Sequence, residues 1–125
     1  MNSPHLNTIM IYAKNMKNTA EFYQKYFAFQ GSSDVIEGLI ELNQTNGSIQ
    51  LLIHQAAKSI KMGQANIKLI FSVENIDIYK QESADRGLVF GATHQANGYQ
   101  FSNTKDPDGN SVSISSRVYR QVASV

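Results

Sequence analysis

The side chains of this 125-residue chain able to ligate a metal or move a proton are few and scattered. His5, His54 and His94 are its three histidines, and no two of them have the His-x-x-x-His spacing that sets paired imidazoles on one helix face. Each is expected to be a surface or packing residue. Cysteine is absent, which removes thiolate nucleophiles, disulfides and zinc–thiolate sites and fits a reducing compartment. Among the carboxylates, Asp106 and Asp108 belong to the run Asp106-Pro107-Asp108-Gly109-Asn110, where bonding to nearby backbone is reason enough for them. Glu37 and Glu41 flank a short hairpin-like stretch and are the remaining candidates for acid/base work.

Those residues need elements to hold them. Pro fixes φ, Gly permits positive φ, and Asp/Asn bond to local backbone, so the Asp106-to-Asn110 run reads as a tight turn into a last strand, Val112 to Ser116. At the other end, Leu6 to Ala13 reads as a strand with Ile9, Ile11 and Ala13 on one parity and Thr8, Met10 and Tyr12 on the other, apolar enough to be covered on both faces. Asn15 or Asn18 can cap a helix over Thr19 to Ala28, in which Ala20, Tyr23 and Phe27, with Phe22 and Tyr26 beside them, form one apolar face. Strands are expected at Phe29 to Ile36, Leu39 to Leu42 and Ser48 to His54, the last two separated by Asn46-Gly47.

The order then repeats: strand Ile67 to Val73, helix Ile76 to Arg86 with Gly87 at its end, and strands Val89 to Thr93 and Tyr99 to Asn103 around Asn97-Gly98. Moving the first half by sixty positions lays Thr8 to Asn15 over Lys68 to Asn75 as a pattern match. Each half is expected to be strand, helix, three strands, and neither could bury its sheet face alone. A chain this long makes one domain, residues 1–125, with a first module at about 5–54, a linker at about 55–65, a second module at about 66–117 and a tail at 118–125.

The formal net charge is +1 and the lysines and arginines are dispersed, so the basic footprint of a nucleic-acid binder is missing. No run approaches the roughly 20 apolar residues of a membrane span, and the start lacks a signal-peptide apolar region. A cytoplasmic protein with no nucleic-acid or membrane partner is expected.

With the first strand, Phe22-Tyr23, Phe27-Ala28-Phe29 and the closing Asp106-to-Asn110 turn, the chain resembles the vicinal oxygen chelate superfamily of glyoxalases, bleomycin-resistance proteins and extradiol dioxygenases. The resemblance implies an α+β fold of two βαβββ modules, whose curved mixed sheets form a ligand cup, usually with a divalent metal at its base. It also implies a homodimer. The family's metal-ligand positions fall on Thr8, Gln50, Lys68 and Ser113. Lysine is cationic and hydroxyls are weak donors, so only Gln50 suits a metal, and none is expected to be held.

His5 has the wrong strand parity to rescue the site, and His54 lies roughly 13 Å along the strand from Gln50. Thr8, Gln50, Lys68 and Ser113 instead suit a carboxylate, phosphate or enolate oxygen, with the Lys68 ammonium in place of the metal. Tyr12, Phe71, Tyr99 and Phe101 are candidates to line the cup. A metal-independent small-molecule binder of the drug-sequestering kind, for a neutral or anionic ligand, is the expectation. If Glu41 faces the cup, its pairing with Lys68 would set a general base beside an electrostatic stabiliser. The rival readings are a metal-dependent lyase, isomerase or dioxygenase, and an interaction module with a filled cup.

Overall fold

The computed structural model describes Pro4 and residues 6–121 and divides into two compact units, Met1–Met62 and Gly63–Val125. In the first unit, β1 (Thr8–Ala13) leads into α1 (Met16–Phe27), followed by β2 (Leu39–Asn43) and β3 (Gln50–Gln55). The helix starts a turn before the expected Thr19, because the Asn15 side chain accepts a hydrogen bond from the Asn18 N–H at 3.0 Å and satisfies one of the free amides of the first turn. β3 is central, parallel to β1 and antiparallel to β2. Ile40, Leu42, Leu51 and Ile53 share one face and are buried under α1, where Tyr23 is fully enclosed against Phe22, Phe27 and Phe29. The helix aromatics are therefore core.

The opposite face of this sheet is open. Rows Thr8–Gln50–Asn43, Met10–Leu52–Glu41 and Tyr12–His54–Leu39 cross it, and Met10 and Tyr12 are exposed rather than covered as their apolar character suggested. The expected strand at Phe29 to Ile36 is reduced to a bridge between Gln30 and Asn43. The cause lies in α1: the Gln24 amide donates to the Gly31 carbonyl at 2.8 Å and accepts from the Ser33 hydroxyl at 3.1 Å, which draws the segment away from the ladder. A two-residue turn with positive φ at Glu37 (51°) and Gly38 (81°) then starts β2.

The second unit follows the same plan with one more strand after its helix: β4 (Lys68–Ser72), α2 (Ile76–Asp85), β5 (His94–Gln95), β6 (Gln100–Lys105) and β7 (Ser111–Ser115). Asn75 caps α2 as Asn15 caps α1, accepting from the Ile78 N–H at 3.0 Å. The sheet runs β4-β7-β6-β5, with β4 and β7 parallel. The expected strand Val89 to Thr93 does not form: the Gly91 N–H keeps one bond to the Asn103 carbonyl of β6 at 2.8 Å, its carbonyl takes the Lys80 ammonium and the Ser102 hydroxyl, each at 2.8 Å, and the paired stretch is His94–Gln95. Val112, Ile114 and Ser102 fill the buried face. A short 3-10 turn, Arg117–Tyr119, follows β7 within the stretch expected to be a tail, and residues 122–125 of that tail lie outside the described residues. Among the described residues, no helix is long and apolar enough to cross a membrane.

Candidate ligand site

The open face of the second sheet is built around serines. Register places Ser111, Ser113 and Ser115 of the central strand β7 in rows with Lys68, Ile70 and Ser72 of β4 on one side and Lys105, Asn103 and Phe101 of β6 on the other. Ser113 and Ser115 are buried although they lie on the open face, because larger neighbours on the flanking strands rise above them. A row of small side chains between bulky ones leaves a hollow, here of about 340 Å³. Ser72, Ser113 and Ser115 contribute hydroxyls to its lining, Ile70 and Val118 contribute aliphatic surface, and Tyr99 and Phe101 contribute rings.

Two cations join them. The Lys68 ammonium donates to Asn103 Oδ1 at 3.1 Å and stands 6.0 Å from the centre of the Phe101 ring. The Arg117 guanidinium stands 6.0 Å from the centre of the Tyr99 ring, and its backbone N–H donates to Ser115 Oγ at 3.1 Å, which fixes the start of the 3-10 turn. The Ser113 hydroxyl donates to the Ser102 carbonyl at 3.0 Å. Lys68, Ser113, Tyr99 and Phe101, proposed from sequence as ligand contacts, thus line one hollow. Arg117 was missed, since nothing in strand periodicity marks a residue beyond the last strand.

Phe71 does not belong there. It pairs with Ile114, which is fully buried, and so lies on the other face from Lys68 and Ile70. Thr8, Gln50 and Tyr12 share the open face of the first sheet, where Thr8 and Gln50 are direct register partners. The Tyr12 ring rests on His54, centroids 5.4 Å apart, and His54 Nδ1 donates to the Gln55 carbonyl at 2.8 Å. His94 stacks on Phe101 at 5.0 Å. His5 lies outside the described residues. A second hollow of about 330 Å³ beside α2 includes Lys80, which is committed to Gly91 and Thr93. Nearby, burial pushes the Tyr79 phenol up from its ordinary value, and it packs edge-on against Phe90.

This chain belongs to the Glyoxalase/Bleomycin resistance protein/Dioxygenase superfamily, whose family model matches residues 5–114. No curated protein matches it. Its structure is similar to lactoylglutathione lyase from Agrobacterium tumefaciens, with 18% identity and a TM-score of 0.71 over 92% of this chain and 95% of that one. It is also similar to TnmS3, an antibiotic binding protein from Streptomyces sp. CB03234, with 14% identity and a TM-score of 0.75 over 91% and 96% of the two chains. The oxidase ChaP-H2 is a third relative in structure, with 18% identity and a TM-score of 0.74 over 93% and 95%. At such identities the likeness is one of fold, and chemistry has to be argued from this chain's own residues.

The superfamily often uses metals, and the residues that the family resemblance implies as ligands fit one poorly. Lys68 is a cation, the Ser113 hydroxyl is buried and donating to a carbonyl, and the Thr8 hydroxyl donates to Asn7 Oδ1 at 3.0 Å. Gln50 alone offers a neutral carbonyl oxygen, its amide nitrogen lying 3.4 Å from Asn43 Oδ1. One such donor is a weak hold on a divalent ion. Among the described residues, no three His, Cys, Asp or Glu side chains cluster as a metal site.

Proposed function

We propose that this protein captures a small organic molecule in the hollow of its second sheet and does so without a resident metal ion. The observation that supports this best is the placement of Lys68: its ammonium borders a hollow of about 340 Å³ beside aromatic rings, at a position that the family resemblance implies for a metal ligand. An ammonium there repels a divalent cation and attracts an acidic or strongly polarised oxygen. The antibiotic binding protein among the structural relatives is a precedent for capture on this fold.

Untagged protein incubated with nickel, zinc, manganese, cobalt or iron(II), then freed of unbound ion, is expected to retain well below one equivalent by elemental analysis. In a thermal-shift screen of aromatic and acidic compounds, a captured ligand at a hundred times its Kd stabilises the fold by about 2.7 kcal/mol and raises Tm accordingly. Near-stoichiometric retention of one metal removes the metal-free reading and points to lyase and dioxygenase assays. A screen in which nothing raises Tm favours an interaction module.

The same reading makes the chain a cytoplasmic homodimer. Each sheet has one face under its helix, and the open faces carry apolar side chains, Met10 and Tyr12 in the first unit and Ile70, 62% exposed, in the second. Apolar surface of this kind is normally covered. Light scattering coupled to size exclusion is expected to return twice the 13.9 kDa chain mass at micromolar concentration. A monomer at that concentration removes the dimer from the proposal.

A further inference from the structure

The donors and acceptors around the hollow are unequal in number, and the imbalance selects a ligand class. We infer that the captured molecule is a planar aromatic acid, its ring in the serine-floored slot and its acid group shared by Lys68 and Arg117. The inference rests on the capture reading above and adds the chemistry of the ligand.

Charge comes first. Lys68 and Arg117 both line the hollow, and no carboxylate is among its described lining residues. The chain as a whole carries only +1, so this local excess is a property of the site and not of the molecule. A cationic ligand would meet two like charges in a partly enclosed space, where repulsion is screened less than in bulk water.

Hydrogen bonding points the same way. The Lys68 ammonium has three N–H donors and spends one on Asn103 Oδ1. The Arg117 guanidinium donates to no side chain that lines the hollow, and its forked N–H groups match the two oxygens of a carboxylate. Ser115 Oγ accepts from the Arg117 backbone, so its own hydrogen is left to donate. Ser113 is different: its hydrogen is used on Ser102, which makes it part of the floor. A ligand that completes this set must bring acceptors.

Shape supplies the aromatic part. The serine row runs along β7 between strands on either side, and two strand spacings amount to about 9.6 Å. Ile70 on one side and Phe101 on the other narrow that gap into a slot. The rings of Tyr99 and Phe101, with centroids 6.4 Å apart and planes tilted by 37°, provide broad flat surface within it. A flat ring buries more area against such walls than a branched aliphatic body. Arg117 is then a specificity-determining residue, positioned through Ser115 at the end of the strand that makes the floor.

The test uses 2-naphthoate and its neutral counterpart 2-naphthamide, titrated calorimetrically into the full chain. Two charge-assisted contacts should favour the acid by about tenfold or more in Kd. Lys68→Met and Arg117→Met should each weaken naphthoate by about tenfold and leave naphthamide within about twofold, whereas Arg117→Lys recovers part of the loss. Arg86→Met, which removes a charge at the end of α2 and outside the lining of the hollow, should change neither probe. Ser115→Leu should remove binding of both by filling the floor, with Tm confirming that each variant is folded.

Equal affinity for acid and amide, both lost in Ser115→Leu, overturns the acid inference while capture in this hollow stands. Binding of both that survives Ser115→Leu overturns the inference together with capture at this site. If neither probe binds, the inference is overturned and capture is judged by the thermal-shift screen alone.

Discussion

Replacing Asp106 by alanine is expected to cost about 2–4 kcal/mol of unfolding free energy, since two backbone amides lose their acceptor inside a packed turn. Asp106 is only 4% exposed, and its Oδ1 accepts from the N–H groups of Asp108 and Asn110, both at 2.9 Å. Oδ2 accepts from the Asn110 side-chain amide at 2.8 Å. Asp106→Asn keeps the oxygen that serves both backbone amides and loses the charge and the Oδ2 contact, so it should cost less, about 1 kcal/mol. Urea unfolding of the two variants reads the difference. Equal losses would mean that water reaches the freed amides and that the carboxylate matters only through its charge. Because the turn delivers Ser111 into β7, the alanine variant should also weaken any ligand held on the serine floor.

The turn is legible in the sequence because its chemistry is local: the Asp108 and Asn110 groups that Asp106 bonds lie within four residues of it. The same holds for the Asn15 cap and for the alternation that puts Lys68 and Ser113 on one face. What was misread depends on distant side chains. Gln24 and Lys80, each on a helix, bond the carbonyls of Gly31 and Gly91, two glycines sixty positions apart, and in both units the segment with strand character keeps only isolated backbone bonds to its sheet. Nothing in the β-propensity of either segment carries that information. Arg117 is a similar case, since its place in the hollow follows from the Ser115 hydroxyl at the end of a strand. Phe71 differs from these cases: its parity is opposite to that of Lys68 and Ile70, and the period of the strand alone puts it on the other face.

The segment after α1 makes the second large prediction, through a matched pair of glycines. Gly31 and Gly38 both have positive φ, 137° and 81°, so alanine is strained at either. They differ in what a methyl group would meet. At Gly38 nothing lies within 4 Å, and the cost should be the backbone term alone, about 1–2 kcal/mol. At Gly31 the new Cβ would sit 2.7 Å from the Glu41 carbonyl oxygen and 3.3 Å from Leu42 Cδ2, in a strand that cannot move aside without disturbing the fully buried Leu42. Strain and displacement together should bring Gly31→Ala to about 3 kcal/mol or more, with the two Gln30–Asn43 hydrogen bonds, 2.8 Å each, the first to go. Asn43 shares a row with Gln50 and Thr8, so amide exchange in the Gly31→Ala variant should rise along that row before the rest of the sheet. If the two alanine variants unfold at the same urea concentration, the chain after α1 yields to the methyl group, and the contact with β2 contributes little to holding the first unit together.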